Sequence, residues 1–199
     1  MRMLITSFGP FPGYSVNPST IVMELLQSMF SWSNINEIEW RILDVSFNSV
    51  DVFERYLKNE HFDVIIHLGV ASNDLQVRFE VVARNERSGK DIDNMVIKKD
   101  KIDLNGSDLQ TNFDLEILEK ICKKHDRQTR ISKDAGTYLC NYVYYLSLKN
   151  NSGNTQVLFV HVADFQNQNK AVKAPEQVKI LMDLINYIIE SSDKEQLLA

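Results

Sequence analysis

The sequence predicts an α/β fold of three layers, in which a mixed, mostly parallel sheet is flanked by helices on both faces. Three short, nearly continuous apolar runs support this prediction, because such runs are typical of strands that are buried on both sides. They are Met3 to Thr6, Asp63 to Leu68 and Val157 to Val162. Stretches of helical character alternate with them, and this alternation indicates helices that cover a sheet.

Five helices are predicted around these strands. The first follows Asn17, which we expect to be its cap, and Pro18 suits the first helical position. The predicted helices cover Pro18 to Phe30, Asn48 to Glu60, Asn112 to His125, Thr137 to Lys149, and Pro175 to Glu190. The stretch from Asn85 to Ser107 is rich in charge and contains glycine, so we expect a long loop or irregular arm there, a kind of segment that often carries function.

The composition favours one domain over residues 1–199, since no repeat, low-complexity tract or linker divides the chain. A net charge of −5 without a basic block argues against a nucleic-acid partner. No apolar run approaches the roughly 20 residues that span a membrane. The chain starts with a strand rather than a signal peptide, so we expect a cytoplasmic location, in which the two cysteines are free thiols.

One of the cysteines stands in a context that suits a nucleophile. Cys140 follows Ala-Gly-Thr in KDAGTYLCNY, where a turn leads into a predicted helix. In the first turn of a helix, the dipole and the free N–H groups stabilise a thiolate. A buried thiol is the alternative. Cys122 lies on the shoulder of an apolar helical face and is interpreted as a small core residue.

A cysteine nucleophile requires a base, and two histidines compete for that role. His67 and His161 both lie near the C-terminal ends of apolar strands, which is the edge of an α/β sheet where ligand sites form. For either residue the alternative is a core histidine whose ring nitrogens are satisfied by neighbours. The pattern does not choose between the two.

Glu80 is an unusual carboxylate, because it lies within the strand-like run VRFEVVARN. A carboxylate in a partly buried strand needs a partner. It either orients a catalytic imidazole or forms a salt bridge with one of three nearby arginines. These are Arg78, Arg84 and Arg87.

An aromatic turn follows the first predicted strand. Phe8 and Phe11 flank Pro10 in SFGPFPG, and they form either a closure of the core or an apolar wall for a small ligand. The sequence contains no paired spacing of metal ligands and no glycine-rich loop for phosphate or a dinucleotide. We therefore expect neither a metal nor a cofactor.

Four motifs together resemble pyroglutamyl peptidase I, also called pyrrolidone-carboxylate peptidase, a family of cysteine peptidases. LITSFGPFPGYSVNPS is similar to the family's first strand, Phe-x-Pro-Phe turn and Asn-Pro-Ser helix start. HLGVASNDLQVRFEVVARN is similar to its Gly-x-Ala loop and Glu-x-Val-Ala-x-Asn segment. DAGTYLCNYVYY resembles its Ala-Gly-Thr-aromatic-x-Cys-Asn segment, and LFVHVAD its strand ending in His-Val-Pro. The resemblance runs from Met3 to about Tyr187.

The resemblance implies an activity and a set of site residues. The family removes an N-terminal pyroglutamyl (5-oxoprolyl) residue from peptides with a blocked N-terminus, by thiol acyl transfer and without metal or cofactor. It often forms homo-oligomers, so we expect one here. The implied catalytic residues are the nucleophile Cys140, the base His161 and the orienting carboxylate Glu80. The implied pocket residues are Phe8, Phe11, Tyr138 and Leu139.

Several positions depart from the family pattern near the pocket. Val70 stands where glutamine is expected, and Ser72-Asn73-Asp74 replaces Gly-Gly-Arg, so that a cation becomes an acid. Asp91 replaces an apolar residue that the family places against the substrate ring. We expect its side chain to turn outwards, and the alternative is an inward carboxylate paired with Lys90. These departures leave two other functions open: a diverged thiol amidase with another acyl specificity, and a non-catalytic binding homologue.

Overall fold

A six-stranded sheet forms the centre of the protein. The computed structural model describes residues 1–29, 37–150 and 155–198, with the side chains of the last helix described as far as residue 191. The strands of the sheet are β1 (Arg2–Phe8), β2 (Glu37–Leu43), β3 (Val64–Ala71), β4 (Val77–Glu80), β9 (Thr129–Ser132) and β10 (Gln156–Ala163). Their order is β2-β1-β3-β10-β4-β9, and every neighbouring pair is parallel except β10 with β4. The mixed, mostly parallel sheet is therefore confirmed.

Helices cover both faces of this sheet, as predicted. They are α1 (Pro18–Met29), α2 (Phe47–Leu57), α3 (Leu115–Lys124), α4 (Leu139–Lys149) and α5 (Ala174–Leu198). One hydrophobic cluster joins α1, α3 and α5 to the sheet, and a second joins α2 and α4 to the opposite face. In the part of the chain that the structure describes, no helix combines the length and apolar character needed to traverse a lipid bilayer.

The helix boundaries differ from the predicted ones by a few residues at most positions. Asn17 caps α1 as expected, because its Oδ1 accepts a hydrogen bond from the backbone N–H of Ser19 at 3.0 Å. The predicted end of that helix at Phe30 lies outside the described residues. Ser46 and Asp114 cap α2 and α3, so these helices begin at residues 47 and 115. The last helix continues to residue 198, eight residues past its predicted end at residue 190.

The predicted long loop between Asn85 and Ser107 is instead largely a β-hairpin. Its strands are β6 (Arg87–Lys90) and β7 (Val96–Asp100), which pair antiparallel. β6 is mostly half-buried, β7 is mostly exposed, and both carry charged residues, so they lack the apolar signal that reveals buried strands. Short strands β5 (Val82–Ala83) and β8 (Leu109–Gln110) flank the hairpin and also pair with each other.

The hairpin is fixed to the start of α4 by close packing. Gly89 has a φ of 125°, and a Cβ at this position would lie 2.5 Å from the ring of Tyr138. Only glycine therefore permits this approach. The hydroxyl of Tyr138 also donates a hydrogen bond to the carbonyl of Lys90 at 2.9 Å. The hairpin thus supports the turn that leads into the helix containing Cys140.

Candidate active site

The carboxyl end of β10 brings His161 next to a buried carboxylate. His161 is aligned with Arg78 in the antiparallel pairing of β10 with β4, and Glu80 follows two residues later on the same face of β4. Nδ1 of His161 lies 2.7 Å from Oε1 of Glu80, which is a hydrogen bond. Among the described residues, none forms a hydrogen bond with Nε2 of this histidine.

Of the three arginines considered as partners of Glu80, only Arg78 contacts it. Nε of Arg78 is 3.2 Å from Oε1 of Glu80, and Nη2 is 3.3 Å from Nδ1 of His161. Arg84 pairs instead with Asp134, and Arg87 pairs with Asp100. The two sequence interpretations of Glu80 thus hold together, because the carboxylate contacts an imidazole and a guanidinium. In the sequence, Arg78 and Glu80 are two residues apart in one strand, and this spacing indicates that their side chains lie on the same face.

Cys140 reaches the same end of the sheet from α4. It is the second residue of α4, which begins after the turn at Gly136. A Cβ added to Gly69 would lie 2.9 Å from Sγ of Cys140, so the sulfur packs against that glycine. Gly69 is the register partner of His161 in the parallel pairing of β3 with β10. The structure therefore brings Cys140, His161 and Glu80 to one end of the sheet.

The protonation of the two central groups differs from the expected thiolate. Burial raises the pKa of the Cys140 thiol to about 12, and the negative charge of Glu80 acts in the same direction. Burial also lowers the pKa of His161, an effect that its bond to Glu80 partly opposes. At Cys140 the effect of burial on the pKa of the thiol outweighs the stabilisation of a thiolate by the start of the helix. The resting site therefore holds a neutral thiol and a neutral imidazole.

His67 is a core histidine. Its Nδ1 lies 2.7 Å from the hydroxyl of Thr6, and its Nε2 lies 2.9 Å from the hydroxyl of Ser147. The side chain is fully buried, and burial lowers its pKa to about 3. Because both ring nitrogens have partners, His67 is not available as a base for Cys140. Cys122 is half-buried on α3 and packs against the hydrophobic cluster that joins α1, α3 and α5 to the sheet.

A small cavity of about 120 Å³ opens beside Cys140. All four predicted pocket residues line it, namely Phe8, Phe11, Tyr138 and Leu139. Asn17, Val45, Val70 and Ser72 complete the lining. Sequence reasoning missed Val45, which follows the edge strand β2, and it treated Asn17 only as a helix cap. Among the described residues, no cluster of three His, Cys, Asp or Glu side chains is arranged to hold a metal ion.

Comparison with known proteins identifies the family. The sequence profile of the family described as pyroglutamyl peptidase matches residues 1–178. The chain belongs to the pyroglutamyl peptidase family. A pyrrolidone-carboxylate peptidase of Thermosipho melanesiensis is 30% identical over 178 residues, which cover 84% of this chain and 85% of that protein. A second, from Pyrococcus furiosus, is 32% identical over 152 residues, or 74% of this chain and 72% of the relative.

Solved structures of pyroglutamyl peptidases share the fold. The pyrrolidone carboxyl peptidase of Fervidobacterium islandicum superposes with a TM-score of 0.82 at 28% identity, covering 96% of this chain and 99% of that one. The enzyme from Thermococcus litoralis superposes with a TM-score of 0.83 at 23% identity, covering 98% and 96%. The α/β fold predicted from the sequence is thus that of a family of cysteine exopeptidases.

Asp91, where the family pattern has an apolar residue, takes neither of the two expected arrangements. Its side chain is buried, yet it does not line the cavity beside Cys140. Oδ2 accepts a hydrogen bond from the backbone N–H of Phe47 at 3.0 Å, and Oδ1 accepts one from Met95 at 2.8 Å. The carboxylate therefore binds the N-terminus of α2, where the helix dipole favours a negative charge. Pairing with Lys90 is not observed.

Asp74, where the family has arginine, also points away from the cavity. Its Oδ2 lies 3.3 Å from Nε of Arg78 and 2.6 Å from Nη2 of Arg130. The acid at this position is thus part of an ionic cluster that includes the cation beside Glu80. Val70 and Ser72, by contrast, do line the cavity, so the changes that bear on ligand shape are confined to these two positions.

Proposed function

We propose that the protein is a cysteine exopeptidase that removes an N-terminal pyroglutamyl residue from peptides. The observation that carries this proposal is the 2.7 Å hydrogen bond between Glu80 and His161, beside the glycine against which Cys140 packs. This placement supports the roles that the family resemblance implies. Cys140 is the nucleophile, His161 the base, and Glu80 the carboxylate that orients the imidazole.

The reaction begins with a neutral pair, so proton transfer accompanies attack. Nε2 of His161 takes the proton of Cys140 while the sulfur forms a bond to the pyroglutamyl carbonyl carbon. The backbone N–H of Cys140, at the start of α4, stabilises the resulting oxyanion. His161 then gives the proton to the nitrogen of the next residue, the C–N bond breaks, and a thioester remains.

Water completes the cycle. His161 accepts a proton from a water molecule as its oxygen attacks the thioester carbon. The C–S bond then breaks, the thiol regains its proton from His161, and pyroglutamic acid leaves. Glu80 stabilises the imidazolium in both half-reactions because it accepts the Nδ1–H bond throughout.

The cavity supports a substrate with a small uncharged ring. Its volume of about 120 Å³ is far below the roughly 300–1,000 Å³ of pockets for drug-sized ligands. Aromatic and aliphatic side chains, among them Phe8, Phe11 and Leu139, form most of its wall. A lactam ring fits this environment, because it carries no charge that the wall would have to compensate.

We propose further that the chain forms one domain, since both hydrophobic clusters pack on faces of the same sheet. Two free cysteines support a reducing, cytoplasmic location. A homo-oligomer is proposed on the family resemblance. Each of these points is separate from the chemistry of the site.

The test is hydrolysis of a pyroglutamyl p-nitroanilide, with the prolyl p-nitroanilide as control because it has a charged ring nitrogen and no lactam carbonyl. We expect cleavage of the first only. Cys140→Ser should fold normally and lose about 10³-fold or more in kcat/KM, whereas the matched variant Cys122→Ser should retain most activity. Equal losses in two folded variants would contradict the assignment. A folded wild type that cleaves neither amide would favour the diverged amidase or the binding homologue, and Val70 in the cavity wall is the feature that would then matter.

A further inference from the structure

Two charged side chains meet at the same nitrogen of His161. Oε1 of Glu80 lies 2.7 Å from Nδ1, and Nη2 of Arg78 lies 3.3 Å from it. The two contacts require opposite proton positions. Glu80 accepts a bond only if Nδ1 carries the hydrogen, whereas Arg78 donates one only if Nδ1 carries a lone pair.

The shorter, charge-assisted contact determines the proton position as long as Glu80 is ionised. A hydrogen bond from Nδ1–H to a carboxylate is strong, and 2.7 Å is the distance typical of such bonds. Nε2 then has the lone pair that can accept the thiol proton of Cys140. If Glu80 became a neutral acid, its O–H could donate to Nδ1, and the hydrogen of the imidazole would move to Nε2. In that form the histidine is no longer a base for the thiol.

The Glu80 carboxylate has few polar partners. It is fully buried, and among the described residues its second oxygen, Oε2, has no hydrogen-bond partner. A buried carboxylate needs a cation or hydrogen-bond donors beside it. Nε of Arg78, 3.2 Å from Oε1, is that cation.

Arg78 is itself held in place by an acid. Asp74 lies 3.3 Å from Nε of Arg78 and is bound on its other side by Arg130 at 2.6 Å. The guanidinium of Arg78 therefore lies within ion-pair distance of two carboxylates, Asp74 and the fully buried Glu80.

We propose that Arg78 is a positioning residue whose guanidinium pairs with the buried Glu80 carboxylate and thereby keeps Nδ1 of His161 as the donor and Nε2 as the acceptor for the proton of Cys140. The catalytic meaning of this proposal rests on the proposed function. The tautomer itself is a property of the resting protein and can be measured without substrate.

The electrostatic surroundings of His161 fix the sign of the expected changes. The charged groups that act on its ring are Arg78 and Glu80 on β4 and Asp74 in the preceding loop, and the thiol of Cys140 on α4 packs against Gly69, the register partner of His161. Arg78 lowers the pKa of His161, whereas Glu80 and Asp74 raise it. Removal of the Arg78 charge therefore raises the pKa of His161, and removal of the Asp74 charge, with Arg78 still in place, lowers it.

The experiment is a pH titration of the imidazole ¹⁵N signals by NMR in the resting protein, with His161→Ala used to assign them. In wild type we expect the Nδ1–H tautomer of His161 across neutral pH. In Arg78→Met the pH at which its signals change should rise by about one unit. Arg78→Lys should remain close to wild type because it keeps the charge. Asp74→Asn should give a smaller shift in the opposite direction. Arg84→Met is the matched control, because its guanidinium pairs with Asp134, and it should leave the signals unchanged.

An Arg78→Met protein whose titration and tautomer match those of Arg84→Met would overturn the proposal. If Arg78→Met does not fold, Arg78→Gln takes its place, because it removes the charge and keeps a polar side chain. Loss of the Nδ1–H tautomer in Arg78→Lys would likewise count against it. Absence of pyroglutamyl hydrolysis in wild type would refute the proposed function while leaving this result intact, since no substrate enters the measurement.

Discussion

His67 and His161 lie on the same face of neighbouring strands, but their partners differ in kind. Both ring nitrogens of His67 meet neutral hydroxyls, from Thr6 and Ser147. One nitrogen of His161 meets the carboxylate of Glu80, and the other has no hydrogen-bond partner among the described residues. A histidine with neutral partners at both nitrogens is a structural residue, whereas a charged partner at one nitrogen prepares the other for proton transfer.

The space around the two rings differs as well. Phe159 is the register partner of His67 on β10, so an aromatic ring fills the place beside this histidine. The register partner of His161 on β3 is Gly69, where any side chain would collide with Sγ of Cys140 and with the ring of Phe159. Side chains thus fill the core at His67 and Phe159. Two residues further along the same strands, at Gly69 and His161, there is space for the sulfur of Cys140.

The largest expected effect separates the two histidines by activity. His161→Ala should reduce kcat/KM for a pyroglutamyl amide by about 10⁴-fold or more, since neither half-reaction then has a base. His67→Gln should change kcat/KM less than about threefold, because it touches no reacting group. Steady-state kinetics on both purified variants measure this difference.

For the stability of the fold, we expect the larger effect from replacing His67 and the smaller from replacing His161. His67→Ala should lower the free energy of unfolding by about 2–4 kcal/mol, because it leaves a cavity and two buried hydroxyls without partners. His161→Ala should lower the free energy of unfolding by less, because it removes the hydrogen bond to Glu80 and leaves no buried hydroxyls without partners. Urea denaturation followed by circular dichroism measures both. If His67→Ala abolished turnover in a folded protein, the division of roles between the histidines would be wrong.

An intermediate effect is expected from the carboxylate that distinguishes the two. Glu80→Gln keeps the size of the side chain but removes its charge, so the imidazolium formed during catalysis loses its stabilising partner. We expect kcat/KM to fall by roughly 10³-fold. The low-pH limb of the kcat/KM profile should also move to lower pH, because a nearby negative charge raises the pKa of His161. An unchanged profile would make Glu80 a structural partner of Arg78 alone.

The sequence predicts the central layers well because the physical signal there is strong. Strands such as Val157 to Val162 are buried on both faces and read as continuous apolar runs, whatever surrounds them. The edge strand β2 and the hairpin between residues 87 and 100 carry charge and are partly exposed, so their apolar pattern is weak. Those elements depend on pairing with distant parts of the chain, which local periodicity does not encode.

The site was predictable only to the level of candidates. Cys140, Glu80 and both histidines stood out by position, but pattern alone could not say which histidine has the charged partner, because that depends on the register of β10 with β4. Asp91 shows the same limit. Its carboxylate was expected to turn outwards, with an inward position paired with Lys90 as the alternative. It instead binds the N-terminus of α2, more than forty residues earlier in the chain.

The smallest expected effect concerns the pH dependence of stability, and it also separates the two histidines. Burial lowers the pKa of His67 from an ordinary value of 6.5 to about 3 in the folded protein. Between these pH values the unfolded chain binds the proton and the folded protein does not. The folded state therefore loses stability as the pH falls below about 6.5, and the loss continues down to about pH 3.

Measurements at pH 7.0 and pH 5.5 isolate this contribution, because most carboxylates titrate at lower pH. The unfolding free energy of wild type should include a loss of about 1 kcal/mol from His67 over this interval. His67→Gln keeps groups that can bond to both hydroxyls and has no titratable ring, so its loss should be smaller than that of wild type by about this amount. His161→Ala should change the pH dependence less, since Glu80 opposes the lowering of the pKa of that histidine. Equal pH dependence in wild type and His67→Gln would mean that His67 can be protonated in the folded state, and the contrast between the two histidines would then rest on their partners alone.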